Sequence, residues 1–589
     1  MTIYEKRKAL FSDALESIQK KYNVISIARL FAVLLLLVSL FYAINSENNN
    51  WLFLSVLSLA AFLFMMKRHT ELSWQKKIKQ ALVAINSDES DYLKNNKIPF
   101  ENGVVYNDFT HPYAYDLDVF GNHSLFQNLN RTTTFIGQKI FANQLLHVLP
   151  NEQIIQNQTA VKELSGKLEW RHDLMALGKV SKDSREQYEQ LLRWSQFESK
   201  PISKFHVVLS FLSPVLMVLV FGVYWFSNEI LWLKIVSFLF VLNLSVLGMI
   251  TKKIKSEIQN ASGIDAIIGQ YGLILQQIET EKFTSEKANT LKQQLFSKNH
   301  PASVYFKKLS ELFSRIDSID NIFSTILFNG FFLFHVHVLK ALLLWKKENA
   351  ALLKQWLDVI GEFEMLSSLA NFSYNNPEFA YPKLNNDYNI QFSNLSHPLL
   401  NSNTRIGNDV DFDPKFMILT GSNMSGKSTF LRSLGINMVL TGIGAPVCAH
   451  AANVHPLPVL VSMRLSDSLA DSESYFYAEI KRLKQIMDGL QNQRAFVLLD
   501  EILRGTNSDD KRSGTIGVVK KMIQNQAIGA IATHDIEVCL TTNDFPESLT
   551  NKCFEVEIIN EDLHFDYKLR DGICQNKSAT FLMKKTGII

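Results

Sequence analysis

Lys427, Ser428, Asp500, Glu501 and His534 are residue types that act on phosphates, and their order along the chain suits that work. The first two close the stretch Gly421-Ser422-Asn423-Met424-Ser425-Gly426-Lys427-Ser428-Thr429, a G-x-x-x-x-G-K-[ST] pattern. Its glycines let successive backbone N–H groups turn toward a β-phosphate, Lys427 would reach the β- and γ-phosphates, and the Ser428 hydroxyl would hold Mg²⁺. Asp500 and Glu501 end an apolar run, Phe496 to Leu499. Asp500 suits a carboxylate that helps hold Mg²⁺, and Glu501 a group that orients or deprotonates an attacking water. His534 ends a second apolar run, Ala530-Ile531-Ala532, where it could contact the γ-phosphate. The pattern implies a nucleoside triphosphate, ATP with Mg²⁺.

The elements around these residues carry the reading. Phe416 to Leu419 is strand-like and Phe430 to Leu434 helix-like, so the loop would join a strand to the positive end of a helix. The order of loop, carboxylate strand and histidine strand is that of ABC-type ATPases, which close two nucleotide sites between paired heads. Ser474 lies at the start of a helical pattern running through Glu479. Free N–H groups at such a place favour phosphate, so Ser474 could serve the nucleotide of an opposite head.

The 589 residues suffice for roughly three or four domains. A net charge of +3 excludes a global basic excess, so any nucleic-acid contact must come from local patches. The cysteines, Cys448, Cys539, Cys553 and Cys574, have no CxxC spacing, which suits a reducing compartment better than a disulfide framework or a zinc site. The apolar residues are clumped. Val24 to Ile44 and Trp51 to Met66 flank the short polar turn Asn45 to Asn50, and Phe205 to Phe226 and Ile230 to Ile250 flank Ser227-Asn228-Glu229. The second run is short and needs its flanks to reach the about 20 residues of a span. Lys and Arg crowd the outer flanks of both pairs, which predicts two transmembrane hairpins that start and finish in the cytoplasm. Ile322 to Trp345 is also apolar but contains Asn329, His335, His337 and Lys340, costly in lipid. One more crossing would put the phosphate loop outside, so this run is expected to be a buried cytoplasmic helix.

Several of these segments together resemble the MutS family of DNA mismatch-repair ATPases. The resemblance rests on Gly421 to Thr429, on Asp467 to Glu479, on Asp500-Glu501-Ile502-Leu503-Arg504-Gly505-Thr506 and on Thr533-His534. Upstream, Leu129-Asn130-Arg131-Thr132-Thr133-Thr134-Phe135-Ile136-Gly137 looks like the family's entry into its lever domain. Glu364 to Ala370 resembles its lever helix, His397-Pro398 its entry strand, and Phe565 to Leu569 its closing strand. The resemblance implies an ATPase acting as a homodimer through its heads, with double-stranded DNA as a partner. Departures accompany it. The amino-terminal wedge that probes a base step has no counterpart in residues 1–115, and a predicted membrane hairpin stands where the DNA clamp would be. Tyr475 follows Ser474 where the family usually has Thr.

The expected fold is an α/β P-loop (ABC-type) ATPase domain preceded by an all-α lever domain, with two transmembrane helical hairpins. Residues 1–70 would be an N-terminal helix and the first hairpin, 71–115 a linker, 116–385 the lever domain with the second hairpin at 205–250, and 386–589 the ATPase. The expected place is the inner membrane, in contact with the lipid bilayer, with the ATPase in the cytoplasm. Two alternatives stand beside DNA clamping. One is the same ATP-driven clamp acting on a non-DNA partner, and the other an ABC-transporter half, weakened by how few polar residues the hairpins offer for a translocation path.

Overall fold

The computed structural model describes residues 2–46, 48–95, 97–181, 183–259, 264–297, 300–422, 424–464, 475–559, 562–574, 583 and 588. Four of its helices are long and apolar enough to cross a membrane. The first, α1 (Ile3–Asn45), starts at a capping box in which the Thr2 hydroxyl accepts from the Glu5 amide and the Glu5 carboxylate from the Thr2 amide. It turns into α2 (Asn50–Asn95), and the two meet at a polar contact, the Ser55 hydroxyl lying 2.9 Å from that of Ser39. Tyr42 stacks on Trp51 across the turn, with ring centroids 4.8 Å apart. The second pair is α3 (Lys204–Ser227) and α4 (Ile230–Gln259), joined in the same manner by Ser213 donating to Asn243 at 2.7 Å. Most apolar side chains of these helices point outward, Phe53, Val218 and Phe226 among them.

The 71–115 stretch is a linker only in part. Helix α2 runs on past Lys67 and Arg68 to Asn95, because its lower half has its own apolar stripe. Ala81, Leu82 and Ile85 on that stripe pack against Met175 and Ala176 of the helix Leu168–Ser181.

The Ile322–Trp345 run differs from the expected single buried helix. It breaks at Leu333, whose φ is 48°, into α6 (Ile322–Phe332) and the first turns of α7 (Phe334–Asn375), which meet at a bend of 87°. The helix before it, α5 (Ala302–Asp317), lies alongside α7. The α7 part is buried as expected, but α6 carries most of its apolar side chains outward. The polar Asn329 turns inward instead, to bond the His335 amide.

Helix α7 is the spine of the helical body, with Trp356, Leu357, Phe363 and Leu366 fully buried. The helix Phe135–Gln144 lies directly on it, since Gly137 and Gly361 present no side chains; a Cβ on Gly361 would stand 3.0 Å from the Ile136 carbonyl oxygen. The buried Glu364 carboxylate accepts from the amides and hydroxyls of both Thr133 and Thr134. Beside it the Ser368 hydroxyl accepts from the Arg131 amide at 3.0 Å.

The carboxyl-terminal region is built on a six-stranded sheet. Its strands are β1 (Phe416–Gly421), β2 (Val459–Ser462), β3 (Phe496–Asp500), β4 (Ile528–Ala532), β5 (Leu549–Phe554) and β6 (Leu569–Asp571), in the spatial order β6-β5-β1-β4-β3-β2. All neighbours are parallel except β5 and β6. Strands β1, β3 and β4 are buried along their whole length, which is why they read as unbroken apolar runs rather than alternating ones. A four-stranded sheet with Ile390–Leu395 and Asn408–Asp411 covers one side of the loop that follows β1.

Candidate nucleotide-binding site

The parallel register brings the chemistry to one edge. Leu419, Ala532 and Asp500 lie in one row across β1, β4 and β3, so Gly421, His534 and Glu501 all emerge from the carboxyl ends of neighbouring strands. Ligands of open α/β sheets bind at that edge. The loop leaves β1 with Gly421 and enters α8 (Lys427–Ile443) at Gly426, which sits at φ 96°, a left-handed conformation that glycine adopts at no steric cost. No side chain caps α8, so its first N–H groups are free to meet an anion.

Lys427 is buried, and its ammonium donates to the carbonyls of Gly421 at 2.8 Å and Ser422 at 3.0 Å. Burial pulls its pKa down, and the nearby carboxylates of Glu501 and Asp500 oppose that. The Ser428 hydroxyl donates to Asp500 at 2.5 Å. Burial raises the Asp500 pKa, which the Ser428 bond partly offsets. Glu501 sits at φ 47°, a conformation uncommon outside glycine, and turns its carboxylate to His534 Nε2 at 2.7 Å. That contact, with help from Arg504 and Lys427, holds the Glu501 pKa down to about 2. His534 Nε2 also lies 3.4 Å from Lys427 Nζ, so lysine, glutamate and histidine form one cluster.

The residues fit a bound phosphate chain by a test independent of their pattern. The hydroxyls of Ser422 and Ser425 are buried in the loop without a hydrogen-bond partner. Such groups cost free energy unless something pairs with them, and phosphate oxygens would. A Cβ on Gly426 would stand 3.0 Å from the Tyr567 ring, so the loop can lie close beneath it. The cavity above holds 590 Å³ and is lined by the loop, Glu501, His397, Ile406, Phe554 and Tyr567. That size suits a nucleotide-sized ligand. Among the described residues no cluster of three His, Cys, Asp or Glu side chains could hold a metal alone. Ser428 and Asp500 would share Mg²⁺ with phosphate oxygens, as that ion commonly binds.

Of the expected site residues, Gly421, Ser422, Met424, Ser425, Gly426, Lys427, Ser428 and Thr429 form the loop, and Asp500, Glu501 and His534 surround it. Asn423 and Ser474 lie outside the described residues. Sequence reasoning missed three supports. Arg504 reaches back to the Glu501 carbonyl at 3.0 Å. The buried Glu479 carboxylate accepts from the amides of Leu503 at 2.7 Å and Arg504 at 3.2 Å, fixing the turn after Glu501. Tyr567 and His397 roof the cavity; burial pulls the His397 pKa down to about 4, keeping it neutral. Both were visible as an aromatic and a histidine near the ATPase strands, but nothing local pointed them at the loop.

A fourth support ties helix α7 to the first helix pair. Arg131 is paired with the buried Glu89 of α2, which also accepts from Asn371 at 3.0 Å and Asn375 at 3.3 Å on α7. Tyr4 of α1 donates to Asn375 at 2.6 Å.

Residues 417–587, which carry the loop, β3 and β4, match the family model described as MutS domain V. Over that region the chain is similar to the MutS family. It is 29% identical over 252 residues to the DNA mismatch repair protein MutS of Thermotoga sp. (strain RQ2), covering 41% of this chain and 31% of that protein. It is 30% identical over 237 residues to the protein of the same name from Thermotoga neapolitana, covering 38% and 28%. With that of Clostridium perfringens it shares 27% over 250 residues, covering 40% and 27%. The chain therefore spans about three tenths of the length of these curated relatives.

Proposed function

We propose that the chain is a membrane-anchored ATPase of the MutS type that hydrolyses ATP with Mg²⁺ and passes the resulting movement through its lever. The observation that carries this reading is the Lys427, Glu501 and His534 cluster beside the Ser428–Asp500 bond, below two buried and unpaired serine hydroxyls. Bound Mg²⁺ would polarise the phosphate oxygens and neutralise charge developing on them. Lys427 exchanges its loop carbonyls for phosphate oxygens. Glu501, ionised at neutral pH because His534 and Arg504 hold its pKa down, accepts a proton from the attacking water or orients it. His534 holds that carboxylate in place, and Tyr567 stacks on the base. Ser474 completes the nucleotide site of the other head in a homodimer.

Glu501→Gln keeps the shape and removes the base. ATP turnover should fall by roughly 10²- to 10⁴-fold with ATP binding retained. Unchanged turnover would refute the role.

The relatives' name and the segment Leu129–Gly137 support double-stranded DNA as the partner of an ATP-dependent clamp. The Glu89–Arg131 link supports a second reading, in which the same motor acts on a non-DNA partner at the membrane, because it joins α2 directly to the lever. Duplex binding by the purified protein, with and without a mismatch, across a salt series separates the two. A preference of about tenfold or more for the mismatch, the scale of one base pair's cost, supports repair. Absence of binding at physiological salt supports the second reading.

A further inference from the structure

Helix α6 has a polar anchor and an apolar exterior, the reverse of what a helix in water shows. Ile322, Phe323, Leu327, Phe328 and Phe332 all point outward, Phe323 with 85% of its surface exposed, while Asn329 and Gly330 are buried. The buried side is bound to the second apolar pair. Asn243 of α4 donates to the Gly330 carbonyl at 2.8 Å and accepts from Ser213 of α3. The Phe240 ring lies so near Gly330 that a Cβ there would stand 2.1 Å from it.

The polar groups at the bend are paired internally. The Asn329 side chain accepts from the His335 amide at 3.0 Å and donates to His335 Nδ1 at 2.7 Å. His335 Nε2, which then carries the proton, lies 3.2 Å from the Ser318 hydroxyl. A surface loop in water has no need of such complete pairing; backbone and side chains at lipid depth do.

Direction and depth follow from the helices. The chain enters through α5 and leaves through α7, which lies beside it, with Trp345 Nε1 donating to the Tyr305 carbonyl at 3.1 Å. Both arms therefore lie on the same side. The 87° bend turns α6 across the axis of α7. Asn243 is thirteen residues beyond Ile230, so the contact lies about 20 Å from the outer end of α4. In a hydrocarbon core of about 30 Å that leaves roughly 10 Å to the cytoplasmic boundary. In-plane helices sit about 5–10 Å into the headgroup and acyl boundary. Asp317, Asp320 and Asn321, just before α6, mark its water side.

We propose that α6 is an in-plane helix seated in the cytoplasmic leaflet of the bilayer, so that the lever helix α7 ends in lipid. The inference rests on the reading of α3 and α4 as membrane-spanning. It makes α7 one rod from the leaflet at Leu333 to the Glu364 junction, and movement of the ATPase would be felt in the membrane.

The test uses the full chain in vesicles of phosphatidylcholine and phosphatidylglycerol, carrying an environment-sensitive fluorophore on Phe323→Cys or Phe328→Cys. Val215→Cys on α3 reports the spanning pair, and the parent chain serves as the blank. Lipids spin-labelled near the headgroup should remove most of the emission from both α6 sites, while aqueous iodide removes little. Lipids labelled deep in the acyl chain should quench Val215→Cys. Iodide quenching of the α6 sites while Val215→Cys stays lipid-quenched overturns the proposal and spares the spanning reading. Protection of the α6 sites from both quenchers, as a second copy or a protein partner would give, also overturns it. Iodide quenching at Val215→Cys overturns both.

Discussion

Replacing Glu364 by Gln tests how helix α7 is joined to the segment around Thr133 and Thr134. The carboxylate accepts from two amides, Thr133 at 3.0 Å and Thr134 at 3.2 Å, and from both threonine hydroxyls. Glutamine offers one oxygen and one NH₂. A threonine hydroxyl can turn to accept from the NH₂, but an amide N–H cannot, so one buried backbone donor loses its partner. That costs about 1–3 kcal/mol. Desolvation raises the Glu364 pKa from 4.5 to about 7, against the pull of the threonine donors. The folded state thus keeps a proton that the unfolded chain releases, and stability present below pH 4.5 is lost as pH rises through 7. The loss sums to about 3 kcal/mol. The protonated carboxyl keeps all four contacts, since its hydroxyl oxygen can accept from an amide and donate to a threonine. The Gln variant has no titration here. Its penalty should therefore be full below about pH 4.5 and should vanish or reverse by about pH 8. Thermal unfolding of the purified full chain in detergent, parent against variant over that range, reads the difference. Each kcal/mol is worth about 2–4 °C in a domain of 150–250 residues. A gap that stays constant with pH, or widens as pH rises, refutes a proton-holding junction.

Gly137→Ala would set a Cβ 1.9 Å from Glu364 Oε2, and overpacking of that kind costs about 1–3 kcal/mol. Gly222→Ala, with nothing within 4 Å of its Cβ, should leave the melting temperature nearly unchanged, and equal effects would contradict the close packing of α7. Arg131→Met leaves Glu89 buried without its cation, at about 3–5 kcal/mol. The double variant with Glu89→Gln should recover part of that in a thermodynamic cycle, and simple additivity would argue against the pairing. Tyr567→Ala should weaken a fluorescent ATP analogue by about 1–3 kcal/mol, as loss of a base-stacking ring does, with Tyr567→Phe close to the parent. A normal affinity for the Ala variant would remove Tyr567 from the base site.

The candidate nucleotide site could be read from the sequence because its parts are local. A glycine-lysine-serine loop, a pair of acids and a histidine each follow a short apolar run, and fully buried parallel strands are read as such without alternation. The four long apolar helices were legible for the same reason, since composition over a window sets their length and hydropathy. What the sequence left open depends on residues far apart in the chain. Glu89 carries no local mark, nothing in the motif around Arg131 points to it, and only the packing of α2 brings the two together. Tyr567 and His397 meet the loop because Asn408 of the second sheet bonds the Tyr567 carbonyl and the Leu569 amide, and His397 follows the strand Ile390–Leu395 of that sheet.

The Ile322–Trp345 run shows the difference most plainly. Its composition fixes that it is apolar with polar interruptions, and a one-dimensional reading merges it into one helix. The break at Leu333 comes from Asn329 finding the His335 amide, and the exposure of α6 from Asn243 holding Gly330. The order of residues therefore determines which segments are apolar and which loop can hold phosphate. Tertiary contacts decide which polar groups are paired, and so where the chain must bend.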